Sequence, residues 1–104
     1  MIVISVVGDL DMETVPELRA YLADRTAPGP SHLVLDLSGV SFLSSHGLSL
    51  LIEAYEGHSG SHGELHLTGV SANRAVERVL DLTGMTSVFD IHDDRDELLR
   101  ELAG

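Results

Sequence analysis

Strand-like and helix-like segments alternate along the whole chain, and this alternation limits the possible folds more than any other feature of the sequence. Runs rich in Val, Ile and Leu are predicted to form strands at 2–7, 32–37, 64–68 and 87–91, and a segment with helical spacing of its apolar residues follows each run. The order β-α-β-α-β-α-β-α predicts a mostly parallel sheet with right-handed crossovers. We therefore expect an α/β fold with a four-stranded sheet and about four helices, formed by residues 1–104 as a single domain.

Polar residues and glycines mark the predicted ends of these elements. Residues 38–39, Ser-Gly, are predicted to turn the chain out of the second strand. Thr14 and Glu17 have the spacing of a capping box, which predicts the start of the first helix. Ser45 is the predicted N-cap of the second helix, and Ser71 that of the third. The inner side of the third helix is expected to consist of Ala75, Val76, Val79, Leu80 and Leu82.

The composition excludes several classes of function. The chain has 17 acidic and 6 basic residues, for a net charge of −11, so phosphate backbones would repel it and nucleic-acid binding is not expected. It contains no cysteine, no nucleotide-binding glycine motif and no G-x-S-x-G motif. We therefore expect that the protein binds no cofactor and is not an enzyme. No apolar run approaches the roughly 20 residues that span a bilayer, and the first residues do not form a signal peptide. We therefore expect a cytoplasmic protein without membrane insertion.

Three segments together carry a family resemblance. They are Val-Val-Gly-Asp-Leu-Asp at 6–11, Leu-Val-Leu-Asp-Leu-Ser-Gly-Val-Ser-Phe-Leu at 33–43, and Ser-Ser-His-Gly-Leu at 44–48. The chain resembles the STAS domain (sulfate transporter and anti-sigma factor antagonist), and specifically the free-standing bacterial anti-sigma factor antagonists. The resemblance implies a partner, an anti-sigma factor that is also a Ser/Thr kinase-like ATPase, and binding to this partner releases a sigma factor.

The resemblance also implies a switch at the start of the second helix, where the family carries a Ser or Thr that the kinase phosphorylates. In this sequence the aligned position is His46, which has no hydroxyl group to accept phosphate. One interpretation is that His46 makes binding independent of phosphorylation or changes the partner. The other is that it is a surface residue in a domain that has lost the switch. Ser45 is the weaker alternative as a phosphoacceptor.

The resemblance places the partner-binding surface on the start of the second helix and on the loop after the first strand. Its predicted members are Asp9, Asp11, Ser44, Ser45, His46, Gly47, Leu48, Ser49 and Ile52. Asp11 has two open interpretations, one as an organiser of the loop or a partner contact and the other as a solvated acid before a helix.

Two further predictions concern the ends of the chain and its role. The family's usual first strand is missing before Ile2, so an exposed sheet edge could pair with a second copy, or the natural start lies upstream of Met1. The alternative to an antagonist is a scaffolding or accessory STAS subunit, in a lipid-transport complex or a signalosome, with no sigma-factor role. A weaker third possibility is a small-ligand sensor.

The histidine-rich loop has a spacing that resembles a metal site. His58, His62 and His66 are spaced by four residues, with Glu64 among them, and on a helix this spacing would place the imidazoles on one face. Three glycines within 57–63 interrupt any helix there. We therefore expect no metal site from this spacing.

Overall fold

The computed structural model describes residues 1–27, 29–58 and 63–104. Within these residues, four strands and four helices alternate, as the sequence predicts, and a 3-10 turn precedes the last strand. Their bounds are β1 Ile2–Leu10, α1 Val15–Thr26, β2 His32–Leu43, α2 Ser45–Gly57, β3 Glu64–Thr68, α3 Arg74–Leu82, the 3-10 turn Met85–Ser87, β4 Asp90–His92 and α4 Arg95–Ala103. The sheet has the order β1-β2-β3-β4, and all three neighbouring pairs are parallel. The predicted fold class is confirmed.

Both faces of the central strands are covered, which is why residues 33–35 of β2 form a continuous apolar run and residues 65–68 of β3 are all buried. On one face, a single buried cluster joins these strands to α1, α2 and α3; its members include Val15, Leu22, Leu33, Leu35, Leu37, Leu50, Leu51, Leu65, Leu67, Val76 and Leu80. On the other face, Val34 and Leu98 are buried outside that cluster. Arg95 of α4 donates a hydrogen bond to Asp36 of β2 on this second face, at 2.9 Å.

Pairing between the first two strands extends further than the sequence predicts. The turn expected at 38–39 is wrong, because β2 continues to Leu43 and pairs with β1 as far as Leu10. Two register shifts accommodate the extra residues. Gly39 permits the close approach of the two strands, since a Cβ at this position would lie 2.4 Å from Val7 Cγ1.

Three further boundary predictions are corrected by the structure. The N-cap of α3 is Asn73 rather than Ser71: its Oδ1 accepts from the Ala75 N–H at 3.1 Å. The Asn73 side chain also donates to the carbonyl oxygens of Leu37 and Val40, so the cap is tied to β2. Leu82, expected on the inner side, is 75% exposed. The last strand is shorter than predicted and covers Asp90–His92.

Within the described residues, none of the helices has the length and apolar character that crossing a bilayer requires.

Candidate functional site

The start of α2 is fixed to the end of β1 through one serine. The Ser44 hydroxyl donates to the Leu10 carbonyl oxygen at 2.7 Å and accepts from the Gly47 N–H at 3.3 Å. The Ser44 N–H donates to the same Leu10 oxygen at 3.0 Å. Ser44 is therefore the N-cap, and the prediction that Ser45 caps the helix is wrong. Ser44 is the cap because its hydroxyl also bonds to β1, whereas Ser45 is the exposed first residue of the helix.

Gly47 allows α2 to sit close to the sheet. Gly47 is buried, and a Cβ there would lie 2.7 Å from Leu43 Cδ1 and 2.8 Å from Leu10 Cβ. Such distances are shorter than ordinary van der Waals contacts, so only glycine fits without a shift of the helix. Gly47 therefore allows the first turn of α2 to pack closely against Leu10 and Leu43.

The remaining predicted members on α2 divide by exposure. Ser45, His46 and Ser49 are exposed, whereas Leu48 and Ile52 are half-buried and pack against the core. His46 is the second residue of the helix and lies at the surface. The helix start that the resemblance predicts is thus where the structure has it, within one residue.

The loop between β1 and α1 is organised by Asp11. Its Oδ1 accepts from the backbone N–H groups of Glu13 at 2.9 Å and Thr14 at 3.0 Å. Hydrogen bonds from the Thr14 and Glu13 N–H groups lower the pKa of Asp11, because they favour the charged carboxylate. Of the two interpretations of Asp11, the geometry supports the loop organiser.

The predicted capping box at the start of α1 does not form. Thr14 has helical backbone angles and makes no side-chain cap bond within α1. Its hydroxyl instead donates to the Asp9 carbonyl oxygen at 2.6 Å and accepts from the Asp11 N–H at 3.0 Å. Asp11 provides the turn before α1, so Thr14 is free to tie the loop back to the end of β1.

Asp9, Asp11 and the α2 start come together because Leu10 lies between the two acids and accepts both bonds from Ser44. We call residues 9–14 and 44–49 together the α2-start surface. Sequence reasoning missed two apolar side chains, Met12 within this surface, 67% exposed, and Phe42 beside it, 51% exposed. Phe42 pairs with Asp9 across the sheet, and only the strand register reveals this position.

The histidines singled out by their spacing do not form one site within the described residues. His58 lies at the end of α2, where its Nδ1 is 3.1 Å from the Ala54 carbonyl oxygen. His62 lies outside the described residues. His66 is in β3, as predicted, and its ring neighbours are His32 and His92.

Comparisons with known proteins agree with this architecture. The family described as "Mlab, STAS domain" matches residues 1–99. The crystal structure of an anti-sigma factor antagonist from Mycobacterium paratuberculosis is 33% identical in sequence and aligns with a TM-score of 0.85, covering 99% of this chain and 86% of that one. This chain belongs to the STAS-domain family of anti-sigma factor antagonists.

Two other members of the family show how widely the likeness extends. The anti-sigma-B factor antagonist of Staphylococcus aureus is 29% identical over 90 residues, which cover 86% of this chain and 82% of that protein. The unphosphorylated form of the antagonist SpoIIAA is 21% identical and aligns with a TM-score of 0.77, covering 98% of this chain and 87% of that one, so it supports the fold alone. The resemblance carried by the three sequence segments is confirmed.

Proposed function

We propose that this STAS domain is an anti-sigma factor antagonist that binds its anti-sigma factor through the α2-start surface, without control by phosphorylation. The observation that carries the proposal is His46. It is exposed on the first turn of α2, at the position where the family resemblance implies a phosphoacceptor.

The α2-start surface has the properties of a preformed docking site. Ser44 and Asp11 hold its two segments with hydrogen bonds to backbone groups, so little ordering is needed on binding. Exposed Met12 within this surface and exposed Phe42 beside it supply apolar area. The net charge of −11 favours a partner with a basic face, because complementary charge raises the association rate.

The absence of a hydroxyl at position 46 removes the usual chemical off-signal. A phosphoryl group would add roughly −1.5 to −2 charges to the centre of this surface and oppose docking. Imidazole offers no such hydroxyl to a Ser/Thr kinase, and Ser45 is the neighbouring hydroxyl that the kinase would have to use instead. Binding is therefore expected to be independent of ATP.

The test is to incubate the purified protein with its anti-sigma factor, with and without Mg-ATP, and to measure affinity and intact mass. Wild type should keep its mass and affinity. His46→Ser, which restores a hydroxyl, should gain a phosphoryl group and lose affinity. A phosphorylated wild type that becomes unmodified in Ser45→Ala would contradict the proposal and identify Ser45 as the acceptor.

The alternative is an accessory STAS subunit with no sigma-factor role. The matching family description favours it, because that description names Mlab rather than an antagonist. Affinity capture with wild type and with Ser49→Arg, a change at an exposed position of the α2-start surface, distinguishes the two. A kinase-like ATPase that is lost with Ser49→Arg supports the antagonist. A transporter ATPase subunit that is lost in the same way supports the alternative.

A homodimer formed through the edge of the sheet is a separate part of the proposal. In the four-stranded sheet β1 is an edge strand, and a groove of about 510 Å³ runs between it and α1, lined in part by Leu10, Leu18 and Tyr21. Val7 on this strand is 76% exposed. Sedimentation equilibrium should show a monomer–dimer equilibrium that Val7→Lys shifts to monomer, since a charged edge opposes strand pairing. A wild type that stays monomeric at millimolar concentration would contradict this prediction.

A further inference from the structure

Strand register gathers three histidines and two acids on the face of the sheet that α4 covers. His32 opposes Glu64 across β2 and β3, and His66 opposes Asp90 across β3 and β4. His92 lies two residues after Asp90 and therefore points to the same face. The cluster is near the amino ends of the strands, whereas the α2-start surface is at their carboxyl ends.

Three atoms of this cluster are spaced as ligands of one metal ion. His32 Nδ1 lies 3.1 Å from His66 Nε2, and Glu64 Oε2 lies 3.7 Å from each of these nitrogens. In a triangle with these sides, the point equidistant from the three atoms is about 2.0 Å from each, which matches zinc–nitrogen and zinc–oxygen bond lengths. Tetrahedral coordination needs ligand separations of about 3.4 Å, so shifts of about 0.3 Å suffice.

The other side of the His66 ring is arranged as metal-binding histidines usually are. His66 Nδ1 lies 2.5 Å from Asp90 Oδ2, and this oxygen lies 2.8 Å from His92 Nε2. A proton on Nδ1 donated to Asp90 leaves Nε2 unprotonated, with its lone pair facing His32 Nδ1 and available to an ion that replaces this hydrogen bond. The contacts of Asp90 are too short for two ligands of one ion, so Asp90 is a positioning residue.

Exposure increases across the three ligands from the interior outward. The side chain of His66 is 4% exposed, that of His32 29% and that of Glu64 62%. The inner ligand is therefore held by packing, while an ion can enter from the side of Glu64 and keep a fourth position open to solvent. Two imidazoles and one carboxylate favour zinc or a similar transition metal over Mg²⁺ and Ca²⁺, which prefer oxygen ligands.

We propose that His32, Glu64 and His66 form a binding site for one divalent transition-metal ion, with zinc the best fit, and that Asp90 orients His66 within it. This site is separate from the α2-start surface and does not depend on the proposed antagonist function.

The experiment uses the full chain without a histidine tag, freed of metal by a chelator and titrated with zinc by calorimetry. Wild type should bind one ion. His32→Ala and Glu64→Gln should each weaken binding at least tenfold, whereas His46→Ala, which changes an exposed histidine at the opposite end of the strands, should not. Both changes are at side chains that are at least partly exposed, so folding is expected to persist, and circular dichroism checks it.

A second readout tests geometry rather than affinity. Cobalt(II) bound to wild type should show the intense visible bands of a tetrahedral site, and His32→Ala should lose them. Asp90→Asn should weaken zinc binding by about 10- to 100-fold while the secondary structure is retained, and Asp90→Glu should restore part of that loss. Absence of stoichiometric binding in wild type, or binding that persists in both His32→Ala and Glu64→Gln, would overturn the proposal.

Discussion

At the carboxyl end of the sheet, α2 begins on backbone groups of β1 and presents exposed side chains, whereas at the amino end His66 is buried and surrounded by side chains from three strands. The shape of the first region depends on hydrogen bonds to main-chain atoms, so its exposed side chains can be substituted without changing the backbone conformation. The second depends on side chains contacting one another, so a change at one member alters the others. The first arrangement suits a surface that selects a partner, and the second suits a site that selects an ion.

Gly47→Ala should have the largest effect and should fall on the carboxyl end alone. Its Cβ would contact Leu43 and Leu10 at distances below 3 Å, and part of the Leu10 contact is backbone that cannot rotate away. We expect a loss of about 1–3 kcal/mol in unfolding free energy, measured by urea denaturation, and weaker partner binding.

The matched control for this change is Gly57→Ala in the last turn of the same helix. Nothing lies within 4 Å of a Cβ there, so stability should be unchanged or slightly higher. Zinc affinity should be the same in both variants. A Gly47→Ala protein as stable as Gly57→Ala would show that α2 packs less tightly against Leu10 and Leu43 than the structure indicates.

Asp36→Asn tests the link between α4 and the face that carries the histidines. Burial raises the pKa of Asp36, but hydrogen bonds from Ser38 and the nearby Arg95 guanidinium outweigh this effect, so the net pKa lies below the usual value for an aspartate. The ion pair should therefore stabilise the fold fully above about pH 5 and lose this contribution as the pH falls through the folded-state pKa.

Wild type should exceed Asp36→Asn in unfolding free energy by about 1–3 kcal/mol at pH 7. The difference should shrink as the pH is lowered from 5 to 2, as measured by urea denaturation at each pH. Arg95→Gln is the matched partner variant. A difference that stays constant with pH would show that the charge of Asp36 does not contribute.

Asp11→Ala should affect partner binding more than stability. Without the carboxylate, the N–H groups of Glu13 and Thr14 lose their acceptor and the loop loses its fixed shape. We expect about a tenfold loss of affinity for the anti-sigma factor, measured by surface plasmon resonance. Asp24→Ala on the exposed side of α1 removes the same charge and controls for long-range electrostatics; equal losses in both variants would contradict a local role for Asp11.

Zinc should have the smallest effect on partner binding, because the two regions lie at opposite ends of the strands. Saturating zinc is expected to change the affinity for the anti-sigma factor by less than about twofold, and by linkage the partner should change zinc affinity equally little. Isothermal titration in the presence and absence of each ligand measures both. A larger coupling would mean that the sheet connects the two regions.

Sequence patterns predicted the elements better than their ends. The strand and helix order follows from local periodicity, which a sheet buried on both faces and amphipathic helices impose. The turn expected at 38–39 failed because pairing with β1 extends β2 beyond it. The predicted N-cap of α2, Ser45, was wrong because Ser44 bonds to the Leu10 carbonyl oxygen, which is 34 residues away in sequence.

The two candidate sites differ in the same way. The α2-start surface consists of two short contiguous segments, so a resemblance at the level of sequence identifies most of it. The histidine cluster draws on strands that begin at His32, Glu64 and Asp90, and no spacing within one segment predicts it. The histidine spacing within 58–66 includes Glu64 and His66 but not His32, and it also includes His58, which lies at the end of α2. The register of β2 against β3 adds His32 to the proposed ligands, and the register of β3 against β4 adds Asp90 as the residue that orients His66.

The Leu10 carbonyl oxygen accepts from both the N–H and the hydroxyl of Ser44, so the last residue of the edge strand and the cap of α2 meet at a single atom. Any chain that adds itself alongside β1 and twists that strand would move this oxygen, and the orientation of His46 and Ser45 would change with it. Self-association at β1 would then change the partner-binding surface directly, through the two hydrogen bonds between Ser44 and Leu10.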